Sequence, residues 1–124
     1  MHKIFLLTGS ISGMLSVLIG AFGAHALKAT LEANNRLETF ETAVKYQFYH
    51  SLALLFLGLL MMQMEYKGFT ISGYSFMIGI FIFSGSLYAL SLTGYTKLGA
   101  ITPLGGLAFI VGWTAMTWGI AKSL

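Results

Sequence analysis

Two histidines, His25 and His50, stand among residues that are otherwise almost wholly apolar. Imidazole changes charge near neutrality and is a common metal ligand, so any chemistry is sought first around these two side chains. Gln47 precedes His50 by three residues and so shares its helical face. Tyr88 and Thr102 lie on two further apolar stretches, and Ser84 sits one turn deeper than Tyr88. His25, Gln47, His50, Ser84, Tyr88 and Thr102 therefore form one candidate cluster, with three uses open to it. The leading one is structural: hydrogen bonds that tie helices to each other, to a loop or to headgroups. The second is a site for a small ligand, lipid headgroup, quinone or metal ion. The third is catalysis. A metal site is incomplete with two histidines, since zinc takes at least three protein ligands, and Glu38 or Glu41 would have to complete it. No Ser/His/Asp set, carboxylate pair, phosphate loop or HExxH run is present. No catalytic residue, metal ligand set or cofactor is assigned, and the expectation is a protein that is not an enzyme.

The elements that must position this cluster are four apolar stretches, at about residues 4–27, 48–64, 71–93 and 98–121. A hydrocarbon core of about 30 Å needs roughly 20 helical residues at 1.5 Å each. None of the four stretches contains Asp, Glu, Lys or Arg. Charged residues make up 9% of the chain, against about 25% in a soluble domain, which excludes a soluble fold. Mean hydropathy is +0.80. The expected fold is all-α: an integral-membrane four-helix bundle, a single transmembrane domain over residues 1–124. The net charge of +3 comes from seven scattered Lys and Arg with no basic stripe, so nucleic acid is not an expected partner. With no Cys there is no disulfide, thiolate nucleophile or Cys-based metal site. Met1-His2-Lys3 and Ala24-His25-Ala26 imitate the ends of a signal peptide, but the apolar run between them exceeds the usual h-region of about 7–15 residues. It reads as the first membrane helix.

Between the first two spans, residues 28–47 form the one loop of substance. Leu31, Leu37, Phe40 and Val44 recur at helical spacing, Glu41 and Lys45 form a favourable i,i+4 pair, and Asn34-Asn35 interrupts the pattern. The reading is an amphipathic interfacial segment followed by a helix that runs into span two. Lys28, Arg36, Lys45 and Lys97 fall on the loop side; Lys3, Lys67 and Lys122, plus the free amine, fall on the side of the termini, nearly a tie. The positive-inside rule then leans towards cytoplasmic loops and extracytoplasmic termini. Trp118 and Tyr66 suit an aromatic belt at one interface, and Tyr46, Tyr49 and Tyr95 one at the other. Pro103 reads as a helix start, the alternative being a kink that opens a cavity next to Thr102.

Helices in lipid associate through close packing of small residues. Gly9, Gly13, Ser16, Gly20 and Ala24 form such a ridge on span one, Gly85 belongs to another on span three, and Gly105, Gly106 and Gly112 to one on span four. Span two has few small residues, so its Leu, Phe and Met side chains read as lipid-facing. The surplus of ridges predicts a homo-oligomer.

Four segments stand in an order that has a parallel: Gly20-Ala-Phe-Gly-Ala-His-Ala-Leu27, Tyr46-Gln-Phe-Tyr-His-Ser-Leu-Ala-Leu54, Phe83-Ser-Gly-Ser-Leu-Tyr88 and Gly99-Ala-Ile-Thr-Pro-Leu-Gly-Gly106. On these the whole chain resembles the small bacterial inner-membrane family filed as domain of unknown function 423. That family includes a membrane-stabilising protein A and is related to a eukaryotic small transmembrane family. The family pattern has Gly where Ala26 stands here. The resemblance implies four helices in the bacterial plasma membrane and no established reaction. The function expected is a non-enzymatic structural or membrane-homeostasis role, with membrane lipids, further copies and other membrane proteins as partners. The alternative is binding or permeation of a small ligand, lipid or metal through a loop-side pocket around His25 and His50.

Overall fold

A backbone with no water to bond must satisfy itself, and within one segment only a helix does so. The computed structural model describes residues 2–124, and the apolar stretches are helical apart from Leu27, Met64 and Ile101. In chain order the helices are α1 (His2–Ala26), α2 (Lys28–Ala33), α3 (Leu37–Gln63), α4 (Gly68–Thr93) and α5 (Thr96–Ser123). All but the short α2 are long and apolar enough to cross a bilayer. Helix α3 begins at Leu37, so the amphipathic run after Asn34-Asn35 and the second apolar stretch are one continuous helix. The first turns of α5 are a tighter 3-10 helix, Thr96–Ala100, and Pro103 follows in the opening turn of the α-helix proper, where its missing N–H costs least.

Neighbours in sequence are neighbours in space: α1 packs on α3, α3 on α4, and α4 on α5. This puts α3 and α4 in the middle and α1 and α5 on the flanks. The expectation that the Leu, Phe and Met residues of the second span face lipid holds for one stripe only. Leu54 and Leu57 are fully buried, while only the opposite stripe with Phe56, Leu59 and Met62 is exposed. A central helix needs few glycines of its own when its neighbours supply them; α3 has one, Gly58, against Leu6 of α1. An ideal Cβ on Gly9 of α1 would lie 2.8 Å from the Ser51 carbonyl oxygen of α3.

The same knob-and-hole logic joins α4 to its neighbours. Phe5 of α1 fits over Gly73, Phe109 of α5 over Gly79, and Phe76 and Phe69 of α4 over Gly112 and Gly119 of α5. Gly105 lies so close to the Phe83 backbone that a Cβ there would be 2.7 Å from the Phe83 Cα. The core therefore sets Phe5, Phe69, Phe76 and Phe109 each against a glycine of the facing helix, beside Ala53, Leu54, Leu57 and Met116.

Two helices are not uniformly α. Helix α1 carries one π turn, Ile19–Gly23, closed by the Ala24 N–H on the Ile19 carbonyl. Helix α4 carries another, Ile80–Ser84, closed by the Gly85 N–H on the Ile80 carbonyl. At the loop side, α2 buries Leu31, and its exposed Lys28 and Glu32 stand 3.9 Å apart. The expected Glu41–Lys45 ion pair does not form among the described residues. Asn35 takes a φ of 53°, and Asn34 turns back to donate its Nδ2 hydrogens to the Ser91 and Leu92 carbonyls at 3.0 and 3.1 Å. Those carbonyls belong to the last turn of α4, where no further intrahelical amide is available. Gly94, with φ 72°, completes that end.

Candidate functional site

Serines and glutamine four residues apart share a helical face, and two such pairs meet between α1 and α3. On α1, Ser16 donates its hydroxyl to the Ser12 carbonyl at 2.8 Å. On α3, Ser51 donates to the Gln47 carbonyl at 2.6 Å. Across the interface the Ser12 and Ser51 hydroxyls are 2.7 Å apart, and the Gln47 amide donates to the Ser12 carbonyl at 3.1 Å. From α4, Tyr88 donates its phenol proton to Gln47 Oε1 at 2.5 Å. One chain of hydrogen bonds thus runs through three helices, and Ser12, Ser16, Gln47 and Ser51 are all buried.

Two further links extend it. Ser84, aimed at α3 from the last residue of the π turn, donates to the Ala43 carbonyl at 2.7 Å. Ser86 meets Thr102 of α5 at 2.6 Å and donates to the Phe83 carbonyl at 3.0 Å. The single Ser86 proton goes to that carbonyl, so Thr102 is the donor between the two hydroxyls.

His50 lies on the other side of α3, towards α5. Its Nδ1 is 2.8 Å from the Tyr46 carbonyl, which only accepts, so Nδ1 carries the hydrogen. Its Nε2 accepts the indole N–H of Trp113 at 3.0 Å. The ring stacks on Phe109, centroids 3.5 Å apart and planes at 9°. The hydrogen-bond network thus assigns a neutral imidazole with both nitrogens engaged.

Of the six residues read as one cluster, the structure joins Gln47 to Tyr88 directly, links Ser84 to the same helix pair, and sets Thr102 against Ser86. His50 faces α5 apart from them. His25 is exposed and shares no hydrogen bond or ring contact with His50 among the described residues. The expected pocket around the two histidines is not formed, and no three of His, Cys, Asp and Glu converge among the described residues. Four partners escaped the sequence reading: Ser12, Ser51, Trp113 and Asn34. The i,i+4 spacing of Ser12 with Ser16 and of Gln47 with Ser51 was the available signal for the first two.

Beside the chain of hydrogen bonds lies a crevice. Helices α1 and α4 touch where Phe5 covers Gly73 and meets Tyr74 edge-on at 5.4 Å. Beyond that contact they are separated by two adjoining hollows of about 340 and 550 Å³, both bordered by Gln47, Ile80 and Phe81. The larger also takes in Ser84, Gly85 and Tyr88. Its walls are apolar and its floor is the polar chain.

A family model described as "Protein of unknown function (DUF423)" matches residues 19–106 of the chain. The UPF0382 membrane protein YwdK of Bacillus subtilis is 42% identical, over 98% of this chain and 99% of its own length. The UPF0382 membrane protein SSP2132 of Staphylococcus saprophyticus is 42% identical over 97% of this chain and 98% of its own. The UPF0382 inner membrane protein YgdD of Escherichia coli is 37% identical over 97% and 91%. No solved structure matches. On the family model and these near-full-length relatives, the chain belongs to the DUF423 family of membrane proteins.

Proposed function

We propose that this protein is a non-enzymatic component of the bacterial plasma membrane with a structural or membrane-homeostasis role, and that its buried polar groups serve to hold the bundle together. One observation carries this reading: the polar chain is closed on itself. Ser12, Ser16, Gln47, Ser51, Ser84 and Tyr88 each give their protons to an acceptor within the protein. Both nitrogens of His50 are engaged as well, which leaves no side chain there poised as base, nucleophile or ligand. The alternative reading, a site built around His25 and His50, has no geometric support, because the two do not meet.

Thermal denaturation in detergent tests the proposal. Gln47→Leu removes the residue through which α1, α3 and α4 are joined, and each buried partner left unmatched costs about 1–3 kcal/mol. The expected result is a lowered melting temperature. A variant as stable as the parent would overturn the structural reading.

The proposal includes lipids, further copies and other membrane proteins as partners. It also includes termini on the extracytoplasmic side, supported by the distribution of Lys and Arg over the two sides of the bundle.

A further inference from the structure

The crevice between α1 and α4 has a chemistry of its own. Along the bundle, inward-facing glycines are filled by a neighbour's ring: Gly73 by Phe5, Gly79 by Phe109, Gly112 by Phe76. Gly85 is different. It is exposed, and a Cβ built on it meets nothing within 4 Å, since it lines the larger hollow where that opens to the lipid. The π turn Ile80–Ser84 borders the same space, and such turns recur at functional sites in helices.

The polar groups bordering this hollow have already spent their hydrogens. Tyr88 donates to Gln47, Ser84 to the Ala43 carbonyl, Ser86 to the Phe83 carbonyl, and Gln47 to Ser12. What they have left is lone pairs, and because Ser84 and Gln47 are buried, the Oη of the half-buried Tyr88 is the acceptor an occupant reaches. An occupant must therefore bring a donor. It must also be uncharged, since neither hollow is bordered by Lys, Arg, Asp or Glu to balance a phosphate or an ammonium. The smaller hollow continues the space along α1 as far as Thr8. From Ile19 to Thr8 the apolar trough extends about 16 Å at 1.5 Å per residue, the reach of a fatty chain.

We infer that this crevice binds a neutral lipid with a free hydroxyl, of the diacylglycerol type, its hydroxyl donating to Tyr88 Oη and one chain lying between α1 and α4. This goes beyond the structural role proposed above, which stands on stability alone.

The probe is 1-palmitoyl-2-oleoylglycerol in phosphatidylcholine nanodiscs, with its 3-acetyl ester as the control that lacks the donor. Native mass spectrometry of the released protein should find one diacylglycerol per chain, retained over the acetyl ester by about tenfold, the worth of one hydrogen bond away from water. Gly85→Leu fills the hollow without displacing any neighbour, so it should abolish retention while leaving the melting temperature at or above the parent's. Ile101→Trp fills the same space from α5 and serves if Gly85→Leu folds poorly. Equal retention of the two lipids, retention of neither, or full retention in both filled variants overturns the inference. A failure here leaves the melting behaviour of Gln47→Leu untouched, so the two ideas fail separately.

Discussion

His50 and His25 looked alike as isolated imidazoles, yet their surroundings give them opposite weight. His50 holds the Trp113 indole, the Tyr46 carbonyl and the face of Phe109 together. Truncation to Ala leaves a void and an unpartnered indole N–H, an expected loss of about 2–4 kcal/mol. His25 is exposed, so His25→Ala should stay within about 0.5 kcal/mol of the parent. Circular dichroism melts in detergent compare the two, and equal losses would count against the contrast. Gln47, Ser84 and Tyr88 were legible because polar atoms deep in apolar helices must find partners. The place of His25 was not, for a geometric reason. The π turn Ile19–Gly23 inserts one residue before it, so face assignment by α-helical count is about 100° out from there on.

Helix ends and crossings carry predictions of a different kind. The end of α4 depends on Asn34 reaching over from the first loop and on the left-handed Gly94. Gly94→Ala forces a side chain into that conformation and should cost about 1 kcal/mol, as should Asn34→Ala through loss of its two bonds to the helix end. Hydrogen exchange at the amides of residues 89–94 would register both as faster opening, and unchanged protection would refute the capping role. At the crossings, Gly112→Leu collides with the Phe76 ring and the Ser72 carbonyl oxygen. It should be among the most damaging single changes, against no loss for Gly85→Leu, as read by yield of folded protein. The spans themselves were legible from bilayer thickness and the absence of charge. Which span lies in the centre was not, because in lipid the buried and the outer surfaces are equally apolar and hydrophobicity no longer distinguishes them. That is why Leu54 and Leu57 were read as outward.

Taken whole, the molecule has used its tight ridges internally: Gly9 on Ser51, Gly105 on Phe83, Gly112 on Phe76. The self-association proposed above would then have to use broad exposed aliphatic and aromatic faces such as those of Val17, Phe22, Phe81 and Ile110. The expected behaviour in nanodiscs is an oligomer at low lipid-to-protein ratio that separates into single chains as lipid is added, read by mass photometry or native mass spectrometry. Orientation is open to a clean experiment because the chain has no Cys. Single cysteines at Lys97 and Lys122 should label from opposite sides of intact cells, with the Lys122 site reached from outside. Reversed labelling would invert the proposed topology. The π turns of α1 and α4 bear on the history of the fold. Each stores one residue that the surrounding α-helix does not require, so the chain could shorten by one at Ile19–Gly23 or Ile80–Ser84 and still present the same faces above and below. Anywhere else in a span, the same deletion would swing every later side chain by about 100° and carry the polar chain into the lipid. Gaps between related sequences should therefore gather at these two turns, and spare the rest of the membrane helices.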